Sequence, residues 1–194
     1  MKIAYLGAGA AGRICGACLH DNGLATAMRA QGEDLLLIPT YTPIRTDEEN
    51  VSHSRVFFGG INVFLQQKSA LFRHTPWLLD RLFDSPALLN WLSRRSSGMQ
   101  AADLGELTVS TFQGTHGKQR KEIAKLLQWL ANDFQPELVH LSNIMLAGMA
   151  GPIKERLRVP IVASLMGEDI FLEALTEPHY SEARQLLREK ARDV

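Results

Sequence analysis

The chain has little of what marks several protein classes: two cysteines, no excess of either charge and no long apolar run. Two cysteines are too few for the disulfide framework of a small secreted domain, so we expect a reducing, cytoplasmic location. The 21 basic residues balance 21 acidic ones, which gives no support for nucleic-acid binding. No apolar run reaches the roughly 20 residues of a transmembrane helix, and no signal-peptide pattern precedes the first predicted strand.

Short apolar segments alternate with helical patterns along the chain. The predicted strands are 2–6, 34–38, 55–58, 138–141 and 160–165. The predicted helices include one ending near Gly32 and others over 118–132, 144–157 and 181–193. This alternation predicts a Rossmann-like α/β domain: three layers, αβα, around a mostly parallel sheet. We expect one domain over 1–194, with a helical insertion near 61–132.

A glycine loop follows the first predicted strand. The spacing Gly7-x-Gly9-x-x-Gly12 matches a dinucleotide fingerprint, which also needs an acidic residue at the end of the second strand. No acid follows that second strand until Asp47. Three interpretations remain: a dinucleotide site, a tight turn for close packing, and a phosphate cradle without dinucleotide specificity. We favour the cradle, because free backbone N–H groups and a helix dipole attract anions at such a turn.

Cys15 and Cys18 have the spacing of a thiol–disulfide motif at the start of a helix. The glycine loop before them is not the context of a thioredoxin-like fold. A thiol redox protein is therefore one interpretation, and small residues packing the helix against the sheet are another. Zinc would need a second ligand pair, and His20 is a lone candidate, so we predict no metal site.

Two carboxylates, Glu168 and Asp169, follow the last predicted strand. At the carboxyl end of a parallel strand they would face the same cleft as the glycine loop. They are candidates for binding sugar hydroxyls and also for capping the next helix, and the two roles can coexist. His140 and Asn143 end the preceding strand, where the same interpretation applies more weakly.

Residues 76–95 are rich in Trp, Phe and Leu, with Arg94 and Arg95 beside them. Core or interdomain packing is the first interpretation of this segment. Peripheral contact with a membrane surface is the alternative, because aromatic residues next to basic ones suit that interface.

Four segments in order, 12–22, 38–47, 56–63 and 164–172, resemble the N-terminal half of a GT-B glycosyltransferase of the group 1 type. They look like a bacterial subgroup with a Cys-Gly-x-Cys element after the first strand. In that family two Rossmann-like domains face each other across a cleft, and sugar is transferred with retention from a nucleotide sugar. The resemblance implies that this chain is the acceptor-side domain and that the C-terminal donor domain is absent from it.

The resemblance also implies roles for residues of this chain. Those expected near the donor diphosphate are Gly9, Gly12, Arg13, Cys15 and Gly16. Those expected to act in catalysis at the sugar are Glu168 and Asp169. Those expected to bind substrate are Asn22, Tyr41, Asp47, Gly59, Gly60, Asn143 and Gly167. The expected partners are a nucleotide-sugar donor, an acceptor and the donor domain, with no further cofactor. The 194-residue chain alone is expected to be inactive. The alternative is a free-standing module that binds a nucleotide or phosphorylated metabolite.

Overall fold

The computed structural model describes residues 1–10, 14–58 and 104–194. The strands are β1 (Lys2–Gly7), β2 (Asp34–Pro39), β3 (Leu138–Leu141) and β4 (Ile161–Ala163). The α-helices are α1 (Gly16–Ala30), α2 (Gly105–Phe112), α3 (Arg120–Trp129), α4 (Ala150–Leu157), α5 (Glu168–Glu173) and α6 (His179–Lys190). Shorter helical turns cover Gly114–His116, Leu130–Phe134, Ile144–Met149 and Ala191–Asp193.

The four strands form one parallel sheet in the order β2-β1-β3-β4. Tyr5 of β1 lies in register with Leu37 of β2 on one side and His140 of β3 on the other. Parallel strands need crossover connections, and the helices between them provide these. The predicted Rossmann-like α/β fold is therefore confirmed.

Alternation along β1 sorts its side chains onto the two faces of the sheet. Ala4 and Leu6 belong to a core that includes buried residues of α3 and α4. Ile3 and Tyr5 belong to a second core that includes Cys18 and residues of β2. Helices thus cover both faces of the sheet, which is the predicted three-layer arrangement.

The expected strand at 55–58 is not formed. The chain instead pairs with β2 through a single parallel bridge between Leu37 and Ser52. It then bends, and the N–H of Phe57 donates to the carbonyl of Pro39 at 3.3 Å. Val56, Phe57 and Phe58 are buried, so their apolar character reflects a turn packed into the core rather than strand pairing.

The helix expected over 144–157 has two parts, a 3-10 turn at Ile144–Met149 and then α4. Gly148 in that turn lies against the backbone of α2, and a Cβ there would be 2.0 Å from the carbonyl oxygen of Thr111. The strand expected over 160–165 is shorter, Ile161–Ala163.

A smaller apolar cluster joins α2, α5 and α6 through Val109, Phe112, Leu172, Leu175 and Ala183. The described part of the expected insertion, from 104 onward, is helical. Residues 59–103 lie outside the described residues, and the segment 76–95 lies within that range. In the described ranges, no helix has both the length and the apolar character needed to cross a bilayer.

Candidate functional site

The carboxyl ends of all four strands lie along one edge of the sheet, because the strands are parallel. The chain passes from β1 outward to β2 on one side, and β3 and β4 lie on the other side. The strand order therefore reverses direction between β1 and β3. In open α/β sheets ligands bind outside the carboxyl ends of the strands at such a point. The loops after Gly7 and Leu141 flank this position.

The loop after β1 packs backbone to backbone against the loop after β2. Gly9 has φ of +77°, and a Cβ there would lie 2.2 Å from the carbonyl oxygen of Thr42. The N–H of Tyr41 donates to the carbonyl of Ala8 at 3.2 Å. Gly9 therefore provides the close packing that one interpretation of the glycine loop requires. Contact of Gly9 with a diphosphate stays a prediction, and Gly12 and Arg13 lie outside the described residues.

Helix α1 begins at an open position on the same edge. Cys15 is its N-cap residue, and Cys15 Sγ accepts a 3.3 Å hydrogen bond from the N–H of Cys18. Among the described residues, and apart from its chain neighbours and the helix's own backbone, no heavy atom lies within 4 Å of the position a Cβ of Gly16 would occupy. The first turn of a helix carries N–H groups without intrahelical acceptors. On the side where a Gly16 side chain would lie, no other described element covers this turn.

Asn22 is buried and holds the loop after β2. Its Nδ2 donates to the carbonyl of Glu49 at 2.9 Å, and its Oδ1 accepts from the N–H of Val51 at 3.0 Å. The side-chain amide is thus used within the fold, and contact with a substrate stays a prediction. Asp47 lies in the same loop and is exposed to solvent.

Tyr41 connects the loop after β2 to the helical layer. Its hydroxyl donates to Oε1 of Gln119 at 2.7 Å, and its ring meets Phe58 edge to face. Burial raises the pKa of Tyr41 to about 12. The other predicted substrate residues of this region, Gly59 and Gly60, lie outside the described residues.

A buried hydrogen bond joins β1 to α1 just beneath the edge. The Tyr5 hydroxyl donates to Oδ1 of Asp21 at 2.6 Å, and His20 Nδ1 lies 3.5 Å from the same oxygen. Burial is the main cause that raises the pKa of Asp21, and the hydrogen bond from Tyr5 opposes it. Burial also raises the pKa of Tyr5, followed in size by its hydrogen bond to Asp21.

His140 of β3 continues this polar group toward β4. Its ring stacks on Tyr5 with centroids 4.3 Å apart, and its Nε2 lies 2.8 Å from the Ser164 hydroxyl. Burial lowers the pKa of His140, and the nearby charge of His20 lowers it further. The imidazole is therefore kept neutral, so that it and Ser164 form an uncharged hydrogen-bonding pair after β4.

Asn143 caps the 3-10 turn after β3. Its Oδ1 accepts a 3.1 Å hydrogen bond from the N–H of Met145. Ser142 beside it is buried. The side chain of Asn143 thus has a capping role, and its predicted contact with substrate stays a prediction.

The turn before α5 combines an exposed backbone with a half-satisfied carboxylate. Gly167 has φ of +84° and open space around its missing Cβ. Glu168 Oε2 accepts from the N–H of Met166 at 2.7 Å, whereas Oε1 is buried and has no hydrogen-bond partner in the described part of the chain. Asp169 is exposed. Glu168 therefore stabilises its own turn through Oε2, while Oε1 is shielded from solvent and lacks a partner among the described residues.

Sequence reasoning missed the set Tyr5, Asp21 and Ser164, and gave His20 and His140 only weak roles. These residues come from four elements or their ends, so no local spacing connects them. The available signal was the presence of Tyr5 in an otherwise apolar strand, since a buried hydroxyl needs a partner. Across the ranges 1–10, 14–58 and 104–194, no group of three or more His, Cys, Asp or Glu is placed to hold a metal ion.

Comparison with protein-family models, curated proteins and solved structures found no match to this chain. The function of this chain is therefore argued from the residues of the site.

Proposed function

We propose that the chain is the acceptor-side domain of a retaining GT-B glycosyltransferase. The observation that supports this most is the placement of three elements at one edge of the sheet. These are the glycine loop after β1, the open start of α1, and the Glu168 turn after β4. A sheet edge with anion-binding N–H groups at one position and a carboxylate at another suits a sugar linked to a diphosphate. The reaction type, glycosyl transfer, is proposed because four sequence segments resemble that family.

The helix start and the Glu168 turn have distinct chemical tasks in this proposal. Backbone N–H groups at Gly16 and in the glycine loop stabilise negative charge on the leaving diphosphate. Glu168 Oε1 is buried and without a hydrogen-bond partner in the described part of the chain, and rotation of the side chain would expose it to accept a hydrogen bond from a sugar hydroxyl. Asp169 contributes a second, exposed carboxylate beside it.

His140 and Ser164 lie along the same edge, between the glycine loop and the Glu168 turn. The neutral pair of His140 and Ser164 can donate to and accept from an acceptor hydroxyl without placing a charge beside the diphosphate. Holding that hydroxyl near the sugar makes attack effectively intramolecular, which is a large part of the barrier lowering available to such enzymes.

The test uses the longest reading frame that contains these 194 residues. The purified protein is mixed with a panel of nucleotide sugars and sugar acceptors, and released nucleoside diphosphate is measured. We expect release with at least one donor, and Glu168→Gln to lower the rate about tenfold or more, a loss of about 1.4 kcal/mol. Glu173→Gln, at the exposed end of the same helix, is the matched control and should leave the rate unchanged.

Two results would contradict the proposal. One is the absence of release with every donor from a protein that binds nucleoside diphosphate. The other is equal activity of the Glu168 and Glu173 variants. Calorimetry on the 194-residue chain tests whether the donor-binding site lies in a separate domain. Micromolar affinity for a nucleotide sugar in this chain alone would show that the donor site is not in a separate domain.

A free-standing phosphate-binding module is the second candidate, and the open first turn of α1 favours it. Such a module would bind nucleoside diphosphate or inorganic pyrophosphate tightly in the 194-residue chain, without turnover in any reading frame. The calorimetric titration with pyrophosphate therefore separates the two functions.

A further inference from the structure

The two cysteines at the start of α1 form a close pair. Their sulfur atoms lie 3.2 Å apart, and both are free thiols. A disulfide needs a sulfur separation of about 2.05 Å. Closing the pair therefore requires a movement of only about one ångström, within the first turn of one helix.

The environments of the two thiols differ. Cys18 is 2% exposed and packs in the core that contains Tyr5 and Leu37. Burial, followed by the hydrogen bond to Cys15, raises the pKa of Cys18 to about 12. Cys15 is only partly buried and sits at the outer end of the helix. A small reagent can therefore meet Cys15 first, while Cys18 stays a protected thiol.

We propose that Cys15 and Cys18 are a reversible oxidation site, closed to a disulfide by exchange with a small-molecule disulfide such as glutathione disulfide. This inference does not rest on glycosyl transfer, because it concerns only the two sulfurs and the helix they begin.

The exchange balances in two steps. The Cys15 thiolate, having released its proton to solvent, attacks one sulfur of glutathione disulfide, forms a mixed disulfide and expels one glutathione thiolate. Cys18 then gives its proton to that thiolate, and its sulfur attacks Cys15. The Cys15–Cys18 bond forms and the second glutathione leaves. Two protein thiols are oxidised by two electrons, and one small disulfide is reduced to two thiols.

The raised pKa of Cys18 disfavours its thiolate at neutral pH, which slows the second step, whereas the 3.2 Å separation of the two sulfurs favours it. A mixed disulfide on Cys15 is therefore the intermediate that precedes the internal bond.

Oxidation also alters the start of α1. In the thiol state Cys15 Sγ accepts from the N–H of Cys18, and Cys18 accepts from the backbone N–H of Arg45 in the loop after β2. Drawing the sulfurs together changes the geometry of both contacts. The oxidation state of the pair is thus coupled to the first turn of α1 and to the neighbouring loop.

The test treats the 194-residue chain with glutathione buffers of graded ratio, quenches in acid, alkylates the remaining thiols after unfolding, and digests with trypsin. Cleavage after Arg13 and Arg29 places both cysteines in one peptide, so an internal disulfide and a mixed disulfide have different masses. We expect the internal disulfide to increase with the oxidised fraction of glutathione and to disappear with dithiothreitol. Hydrogen exchange of the amides of 16–19 should be faster in the oxidised form.

Single variants test the order of steps. Cys18→Ser should stop at a stable mixed disulfide on Cys15, whereas Cys15→Ser should stay unmodified because Cys18 is buried. If either variant fails to fold, native-state alkylation of the wild type gives the same information, with Cys15 modified well before Cys18. Absence of an internal disulfide at every ratio would overturn the proposal, and so would equal reactivity of the two thiols.

Discussion

The hydroxyl of Tyr5 and the carboxylate of Asp21 are joined by a buried 2.6 Å hydrogen bond that connects the central strand β1 to helix α1. Asp21 is 3% exposed, and burial is the main cause that raises its pKa. The charge of Asp21 is thus expensive where it stands, while its role as an acceptor for Tyr5 is favourable. The two contributions can be measured separately.

Replacing Asp21 separates its charge from its hydrogen bond. Asp21→Asn keeps an acceptor for Tyr5, so we expect a free energy of unfolding at pH 7 equal to or above that of the wild type. Asp21→Ala leaves the Tyr5 hydroxyl unpaired and should lose about 1–3 kcal/mol. Urea unfolding of the variants measures both.

Asp21 should also change how the stability of the fold depends on pH. Because its folded pKa is raised, the folded state takes up a proton before the unfolded state as pH falls. The wild type should therefore gain stability relative to Asp21→Asn as pH falls through that pKa. Equal destabilisation by Asn and Ala at pH 7 would mean that the charge itself is needed.

Gly9→Ala tests the packing of the two loops. The new methyl group would collide with the carbonyl of Thr42, and φ of +77° is unfavourable for alanine. We expect a loss of at least about 1 kcal/mol in the free energy of unfolding. Gly23→Ala, inside α1 with open space around it, is the control and should gain about 0.5–1 kcal/mol. Equal stability of Gly9→Ala and wild type would contradict the close contact.

Asn22→Ala should loosen the loop after β2. It removes the partners of the Glu49 carbonyl and the Val51 N–H, so we expect a loss of about 1–3 kcal/mol. Amides of 47–51 should also exchange faster with solvent. Asn22→Asp keeps the acceptor for Val51 but buries a carboxylate against the Glu49 carbonyl, so at pH 7 it should lose at least as much stability as Asn22→Ala. The control is Asn132→Ala, at an exposed position, which should change neither the free energy of unfolding nor the amide exchange of 47–51.

His140 should make the fold sensitive to mild acid. Burial and the charge of His20 lower its pKa below 6.5, so below pH 6.5 the unfolded state binds the extra proton first. Stability should then fall as pH falls from 6.5, by up to about 1.4 kcal/mol per pH unit from this group. Besides His20, the carboxyl of Asp21 lies in the same polar group. The melting temperature of His140→Gln should change less with pH than that of the wild type. The control is His116→Gln, at an exposed position, whose melting temperature should depend on pH as in the wild type.

Cys18 should make the fold sensitive to alkali. Its pKa is about 12 in the folded chain against a reference of 9.0, so above pH 9 the unfolded state loses the proton first. Stability under reducing conditions should fall with rising pH by up to about 1.4 kcal/mol per unit from this thiol. Cys18→Ala should lack that component. Parallel pH profiles of the two proteins between pH 9 and 11 would contradict the burial of the thiol.

The predicted elements differ in how well they match the structure. Strands at 2–6, 34–38 and 138–141 were placed to within one residue, because continuous apolar runs mark strands covered on both faces. The strand predicted at 55–58 was wrong, since Val56 to Phe58 are apolar through burial in a turn. An apolar run reports burial, and only hydrogen-bonding neighbours distinguish a strand from a packed loop.

The candidate site was predictable only in its location. The rule that ligands lie at the carboxyl ends of parallel strands pointed to the turns near Gly9 and Glu168, which lie on one edge as expected. The sequence did not reveal that Asn22 and Asn143 are engaged in loop and turn contacts. Those bonds depend on partners brought near by packing.

The amino-acid sequence by itself determined the alternation of strands and helices and the parallel direction of the sheet, because periodicity and turn residues act between near neighbours. Only the tertiary structure decided that Tyr5 lies between Asp21 and His140, and that Ser164 completes the group. The physical reason is the strand order β2-β1-β3-β4, which brings β1 beside β3 and so joins side chains that no local pattern relates.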